Sequence, residues 1–206
     1  FYIAYTLDNP GDKTRRPVTF IWNGGPGAPS SMLHFQLLGP RRRISDKNSA
    51  SPSSYPVVDN NETLLNFTDL VMVDPIETGY SYPLKPEYSS LFLGVQQDID
   101  SISEFIRIYL THYDVLDAPI FLVGESYGTF RAAGVAEKLV NKEFSLMGVI
   151  MISSILTMGA ERDMSLPLLL PSYTVAAFYH KKLAPDLQAD FESALRQAEE
   201  WAETEY

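Results

Sequence analysis

The chain has 206 residues, of which 45% are hydrophobic, and it contains no cysteine. This length suffices for a sizeable core, and the lack of cysteine excludes disulfides, thiolate nucleophiles and thiolate metal ligands. The formal net charge of −10 argues against a nucleic-acid partner. The most apolar patch, residues 166–171, is short and contains proline, so no membrane span is expected. No cluster of His, Asp and Glu has the spacing of metal ligands, so no metal or other cofactor is expected.

Strand-like and helix-like segments alternate along the chain, which is typical of an α/β fold with a mainly parallel sheet. Short apolar runs predict strands over residues 2–7, 18–22, 70–74, 120–123 and 148–152. Residues 8–12 combine Asp, Asn, Pro and Gly, which favour tight turns. This turn predicts that the first two strands form a hairpin.

Apolar residues at helical spacing predict one helix over residues 95–110 and another over 186–204. Pro185 lies just before the second helix, where a helix start tolerates proline. Residues 45–61 and 83–90 contain several turn-forming residues and are predicted loops.

Residues 124–128 have the sequence Gly-Glu-Ser-Tyr-Gly, which matches the G-x-S-x-G nucleophile elbow. The elbow needs a strand before it and a helix after it. The apolar run 120–123 supplies the strand, and residues 131–139, rich in helix formers, supply the helix. Because the turn exposes its serine and aims the first helical amides at the reacting oxygen, the pattern predicts Ser126 as a nucleophile. The alternative is a glycine-rich turn with an incidental serine.

Two further glycine-bearing loops follow predicted strands. Residues 22–27, Trp-Asn-Gly-Gly-Pro-Gly, can present backbone amides to a ligand because no Cβ obstructs the approach. In α/β-hydrolases the oxyanion hole combines an amide from an early loop with the amide after the nucleophile, so Gly25 and Tyr127 are the predicted donors. Residues 73–81 leave a third strand end, and such loops meet at the carboxyl edge of an open sheet.

Together, these three motifs resemble the serine carboxypeptidase family in order and approximate spacing, over nearly the whole chain. The runs Leu-Gly-Pro-Arg-Arg at 38–42 and Gly-Thr-Phe-Arg-Ala-Ala at 128–133 are similar to the bacterial branch. The resemblance implies an α/β-hydrolase fold, with a mainly parallel sheet flanked by helices. Residues 1–160 would form the N-terminal part of the core and residues 161–206 would begin a helical cap or insertion. It also implies a secreted or periplasmic location.

The resemblance further implies roles for individual residues. Ser126 would be the acylating nucleophile, and the backbone amides of Gly25 and Tyr127 would form the oxyanion hole. The implied substrate is a peptide with a free C-terminal carboxylate, bound at Asn23, Gly24 and Glu125. Asn23 and Glu125 would grip that carboxylate. Glu125 can do so only if a proton is shared, because two carboxylates in contact repel each other.

The chain departs from the family in its length. Hydrolases of this fold order their triad as Ser, Asp and His along the chain. His180 is the one histidine after Ser126 and Asp163 the one aspartate between them, but too few strands are predicted after the elbow for these to be the triad. His34 and His112 precede the serine and are predicted to be helix residues. We therefore interpret the chain as an incomplete, N-terminal half, inactive alone, whose catalytic Asp and His lie on a second chain or a missing C-terminal half.

Two smaller departures lie near the predicted site. Leu37 stands where typical eukaryotic members carry a Glu that helps to bind the substrate carboxylate. The neighbouring polar residue, Gln36, lies one position before that of the family Glu. Glu77 stands where members usually carry Gly or Asn, and we hypothesise that it alters the preference for substrate charge. Two other functions stay open: an esterase or acyltransferase of the same fold, and a catalytically inactive hydrolase-like binding protein.

Overall fold

The computed structural model describes residues 1–8, 11, 15–44, 56–155 and 162–204, with the backbone alone for residues 162–166. The chain divides into two compact units, Phe1–Leu156 and Thr157–Tyr206. The first unit carries the sheet and all the predicted site residues, and the second is helical.

A five-stranded sheet organises the first unit. The strands described there are β1 Tyr2–Tyr5, β2 Val18–Trp22, β3 Arg41–Arg43, β4 Val57–Asp59, β5 Asp69–Val73, β6 Ile120–Glu125 and β7 Leu146–Ile152. The sheet has the order β1-β5-β2-β6-β7. Neighbours from β5 to β7 run parallel, and β1 alone is antiparallel, at the edge. The prediction of a mainly parallel α/β sheet is therefore confirmed.

The predicted hairpin between the first two strands is wrong. Strand β1 pairs antiparallel with β5, where Tyr2 lies opposite Val73, and β2 lies between β5 and β6. All five residues of β2 are buried, whereas β1 is only partly covered. A fully apolar strand gains most from a central position with parallel partners on both sides, which leaves β1 to the edge. Most of the predicted turn lies outside the described residues.

Helices α1 Val95–His112 and α2 Tyr127–Asn141 cover one face of this sheet. The apolar residues of α1 pack into the larger core together with Phe20, Val71 and Leu122. Residues of opposite parity on the same strands, such as Ile21 and Met72, form a smaller core on the other face. A π-helix, Leu33–Leu38, packs against that second core through Leu33. The sheet is therefore covered on both faces, as a parallel sheet requires.

Part of the two predicted loops is regular structure. Strand β4 falls within the predicted loop 45–61 and pairs antiparallel with β3, so that Arg41 lies opposite Asp59. Residues 45–55 lie outside the described part of the chain. The loop predicted over 83–90 overlaps a 3-10 helix, Pro86–Leu91, which begins with a proline.

Three helices form the described part of the second unit: α3 Arg162–Tyr179, α4 Pro185–Gln188 and α5 Phe191–Thr204. Helices α3 and α5 pack together, with the rings of Phe178 and Phe191 5.1 Å apart. Among the described residues, no helix is both long and apolar enough to cross a membrane.

The single helix predicted over 186–204 is instead two helices. The backbone N–H of Ser193 donates to the Asp190 carboxylate at 3.2 Å, and that of Ala194 donates to the Asp190 carbonyl at 3.0 Å. A side-chain acceptor at this position caps a helix start, so Asp190 begins α5 as a separate helix. Pro185 is the first residue of α4, in agreement with the predicted start.

Candidate active site

The predicted nucleophile lies at a sharp turn between β6 and α2. Ser126 has φ 54° and ψ −125°, a conformation that a residue with a Cβ rarely adopts and that typically costs about 1–3 kcal/mol. Its N–H donates to the Ile152 carbonyl at 2.9 Å, and its carbonyl accepts from the N–H and hydroxyl of Thr129. These bonds hold the strained residue in place. The strand, turn and helix that the elbow motif requires are all present.

The loop after β2 lies directly against this elbow. Strands β2 and β6 are parallel neighbours, with Trp22 opposite Gly124, so the loops that follow them leave the same edge of the sheet. A Cβ on Gly24 would lie 2.5 Å from the Glu125 carbonyl oxygen and 2.6 Å from the Tyr127 nitrogen, so only glycine fits there. Gly25 follows with φ +103°, again a conformation that suits glycine.

Asn23 joins the two loops through its side chain. Its amide nitrogen donates to a carboxylate oxygen of Glu125 at 3.2 Å. Its amide oxygen accepts from the Leu33 backbone N–H at 3.1 Å. Because Asn23 is 1% exposed and both ends of its amide are bonded, its orientation is fixed. The predicted residues Asn23, Gly24, Glu125, Ser126 and Tyr127 are therefore brought together.

Asp74, which follows β5, anchors the third predicted loop to the first. One carboxylate oxygen accepts from the Ser30 N–H and hydroxyl, both at 2.8 Å, and the other accepts from the Tyr80 N–H at 3.3 Å. Burial lowers the pKa of the nearby His34, and the charge of Asp74 opposes this shift. His34 bonds to the Tyr5 hydroxyl at 2.6 Å. As predicted, His34 is a helix residue, and its contacts are structural.

Behind the elbow lies a buried ion pair that the sequence analysis did not identify. The Arg131 side chain on α2 donates from Nε to the Asp98 carboxylate of α1 at 2.8 Å and 3.0 Å. The Tyr127 hydroxyl donates to the same carboxylate at 3.0 Å. Burial and the charge of Asp98 raise the pKa of Tyr127 to about 12. The sequence signal for this pair is the carboxylate Asp98, which stands among the regularly spaced apolar residues of α1.

Comparison with known proteins decides the family. The sequence pattern of the serine carboxypeptidases matches residues 1–200. The chain belongs to the serine carboxypeptidase family. The family predicted from the three motifs is therefore confirmed, whereas its assignment to the bacterial branch stays a prediction.

Curated relatives of this serine carboxypeptidase chain include two yeast proteins. It is 31% identical over 131 residues to the pheromone-processing carboxypeptidase KEX1 of Yarrowia lipolytica, and the aligned region covers 61% of this chain and 19% of that protein. It is 31% identical over 143 residues to carboxypeptidase sxa2 of Schizosaccharomyces pombe, and the aligned region covers 66% of this chain and 26% of that protein. The chain thus spans about a fifth to a quarter of these relatives.

A solved structure supports the fold. The structure of Kex1, a prohormone-processing carboxypeptidase from Saccharomyces cerevisiae, superposes with a TM-score of 0.67 at 19% identity. The match covers 98% of this chain and 42% of that one. The fold of this family member is therefore of the predicted α/β-hydrolase type.

The residues at which the sequence departs from the family, Gln36, Leu37 and Glu77, all lie in the described part of the chain. Leu37 and Gln36 are exposed on the π-helix, and Leu37 contributes its carbonyl as an acceptor for the Asn60 side chain at 2.8 Å. Glu77 has φ 67°, and its carboxylate accepts a hydrogen bond from the Ser89 hydroxyl. This bond ties Glu77 to the following 3-10 helix. Its effect on substrate preference stays a hypothesis.

No histidine of the first unit's described residues bonds to Ser126. His34 is committed to Tyr5, and His112 lies at the C-terminal end of α1. His180 belongs to the second unit, and the side chain of Asp163 lies outside the described residues. Among the residues that the structure describes, no cluster of His, Asp and Glu could hold a metal ion. The source of the base stays a prediction.

Proposed function

We propose that the protein containing this chain is a serine-type carboxypeptidase that removes C-terminal residues through an acyl-enzyme on Ser126. The observation that carries the proposal is the Asn23–Glu125 pair, bonded at 3.2 Å beside the strained serine. An amide donor and a carboxyl group adjacent to a nucleophile suit a substrate carboxylate one residue beyond the scissile bond. Glu125 would share a proton with that carboxylate, because two charged carboxylates in contact repel each other.

The acylation step uses the two adjacent loops. The Ser126 hydroxyl oxygen attacks the scissile carbonyl carbon, and its proton passes to a histidine base outside the first unit. The N–H groups of Gly25 and Tyr127 would donate to the oxygen that becomes negative. The C–N bond then breaks, the proton passes to the departing amine, and the peptide remains as an ester on Ser126. Water hydrolyses this ester and restores the serine.

The base and its orienting acid are proposed to lie in polypeptide outside this sequence, on a second chain or a C-terminal half. His34 has another partner and a structural place, and the chain spans 42% of the Kex1 structure. We accordingly propose that the chain alone is inactive. A secreted or periplasmic location and a peptide with a free C-terminus as substrate belong to the same proposal.

The test uses the full-length protein and three readouts. A fluorophosphonate probe should label the wild type and the Ser145→Ala variant but not the Ser126→Ala variant. Ser145 serves as the control because it is exposed and precedes β7, whereas Ser126 bonds to the last residue of that strand. Peptides with a free C-terminus should be hydrolysed, and the same peptides with an amidated C-terminus should not. Absence of labelling in the folded protein would support an inactive binding protein. Turnover of esters without turnover of any peptide would support an esterase.

A further inference from the structure

The Asp98–Arg131 ion pair is nearly closed off from solvent. The Arg131 side chain is 2% exposed and the Asp98 side chain 12% exposed. Removing two charges from water costs several kcal/mol per ion before their attraction offsets it, and a well-packed apolar pair is often as stable. The ion pair is therefore not explained by stability alone.

Other contacts of this ion pair reach both halves of the predicted oxyanion hole. Nη1 of Arg131 donates to the Asn23 carbonyl at 2.9 Å, and this carbonyl belongs to the peptide unit that leads into Gly24 and Gly25. On the other side, the guanidinium lies 5.0 Å from the centre of the Tyr127 ring. The Tyr127 hydroxyl is fixed in turn by Asp98 at 3.0 Å. A single guanidinium thus touches the loop after β2 and the residue after the nucleophile.

We propose that Asp98 and Arg131 are positioning residues that fix the N–H groups of Gly25 and Tyr127 relative to each other. The proposal rests on the proposed function, because it assigns these amides to the oxyanion hole. Two consecutive glycines give the loop little stiffness of its own, so an external bond must fix its first peptide plane. Oxyanion stabilisation requires donors held in place before the reaction, and a 1 Å misplacement can cost about a hundredfold in rate.

A second ion pair in the same unit, which is partly buried, provides a matched control. Arg16 and Asp69 are 2.6 Å apart, with side chains 9% and 19% exposed. They lie at the amino ends of β2 and β5, opposite the edge from which the site loops leave. Arg16 also donates to the Leu65 carbonyl, so this pair too ties two segments together. It has no described hydrogen bond to the elbow or to the loop after β2.

The experiment compares two double variants of the full-length enzyme on an activated ester. Asp98→Leu with Arg131→Met removes both charges and fills the space with apolar side chains. Arg16→Met with Asp69→Leu makes the same replacements at the control pair. We expect the first to lower kcat about tenfold to a hundredfold with KM within about threefold of wild type. The control double variant should keep kcat within about twofold of wild type. Equal kcat losses in both variants would overturn the proposal.

Arg131→Lys provides a second test if the double variant does not fold. A lysine keeps the charge but lacks the planar fork that bonds Asp98 and Asn23 together, so kcat should still fall about tenfold. A folded Arg131→Lys enzyme with wild-type kcat would refute the positioning role. Failure of the proposed function would look different, because the wild type itself would then show no turnover that depends on Ser126.

Discussion

Replacing Gly24 with alanine tests the close approach on which the proposed oxyanion geometry depends. The added Cβ would lie 2.5 Å from the Glu125 carbonyl oxygen, 2.6 Å from the Tyr127 nitrogen and 2.9 Å from the Gly128 nitrogen. The first two distances are about 0.8 Å shorter than ordinary van der Waals contact. All three atoms are backbone atoms of the elbow, so no side chain can rotate away to make room.

The loop after β2 must therefore move by nearly 1 Å in the Gly24→Ala variant. Since Gly25 is the next residue, its N–H moves with the loop. We expect kcat for an activated ester to fall about a hundredfold, the usual consequence of such a misplacement. Overpacking should also cost about 1–3 kcal/mol of unfolding free energy. Steady-state kinetics and thermal unfolding of the full-length protein measure the two effects separately.

Gly148→Ala is the control for crowding as such. A Cβ there would lie 3.1 Å from Cε1 and 3.2 Å from Cδ1 of the Phe121 ring, in the amino-terminal part of β6 and β7. This variant also crowds the first unit but leaves the loop after β2 in place, so kcat should stay within about twofold of wild type. A Gly24→Ala enzyme with wild-type kcat would refute the reasoning, because the loop would then not hold an oxyanion donor at this position.

Two further predictions concern stability and pH. Burial and the charge of Asp98 raise the pKa of Tyr127 to about 12 from an ordinary value of 10.0. As the pH rises between these two values, the unfolded chain releases the Tyr127 proton before the folded protein does, so the free energy of unfolding falls. Tyr127→Phe should flatten that fall, and urea unfolding at a series of pH values measures it. Burial lowers the pKa of His34 below its ordinary value of 6.5, although the charge of Asp74 opposes this shift. As the pH falls below 6.5, the unfolded chain therefore binds a proton before the folded protein does, and the free energy of unfolding declines. His34→Gln should lessen this decline in the same assay, and curves parallel to wild type would contradict either prediction.

The sequence predicts the parallel part of the fold well because those strands are buried on both faces and read as continuous apolar runs. Strand β2 has the predicted bounds, and β6 begins at the predicted residue and ends two residues later, at Glu125. The partner of β1 could not be found, because a turn signal shows that the chain reverses but not which strand it meets. Helix α3 was missed because its interior carries Pro167 and Pro171, which local preference reads as helix-breaking.

The candidate site divides in the same way. Ser126 and the loop around Gly25 were predictable because glycines at fixed positions mark places where backbone segments meet. The Asp98–Arg131 pair was not found because its residues lie 33 positions apart on two helices, and nothing local links them. An arginine next to alanines on one helix, together with a carboxylate on the apolar face of another helix, is the pattern that such a pair leaves in a sequence.

Several hydrogen bonds hold the loop after β2 close to the elbow, where the proposed oxyanion donors Gly25 and Tyr127 lie. The Trp22 indole N–H donates to the Gly128 carbonyl at 2.9 Å, Asn23 bonds Glu125, and Arg131 bonds the Asn23 carbonyl. The first two bonds join the end of β2 to the elbow after β6, the third joins it to α2, and all lie within the first unit. Since donors fixed before the reaction need no reorganisation during it, we propose that these bonds preorganise the geometry for stabilising an oxyanion. Turnover would in addition require the base that we propose lies outside this sequence, since the His34 side chain is already bonded to Tyr5.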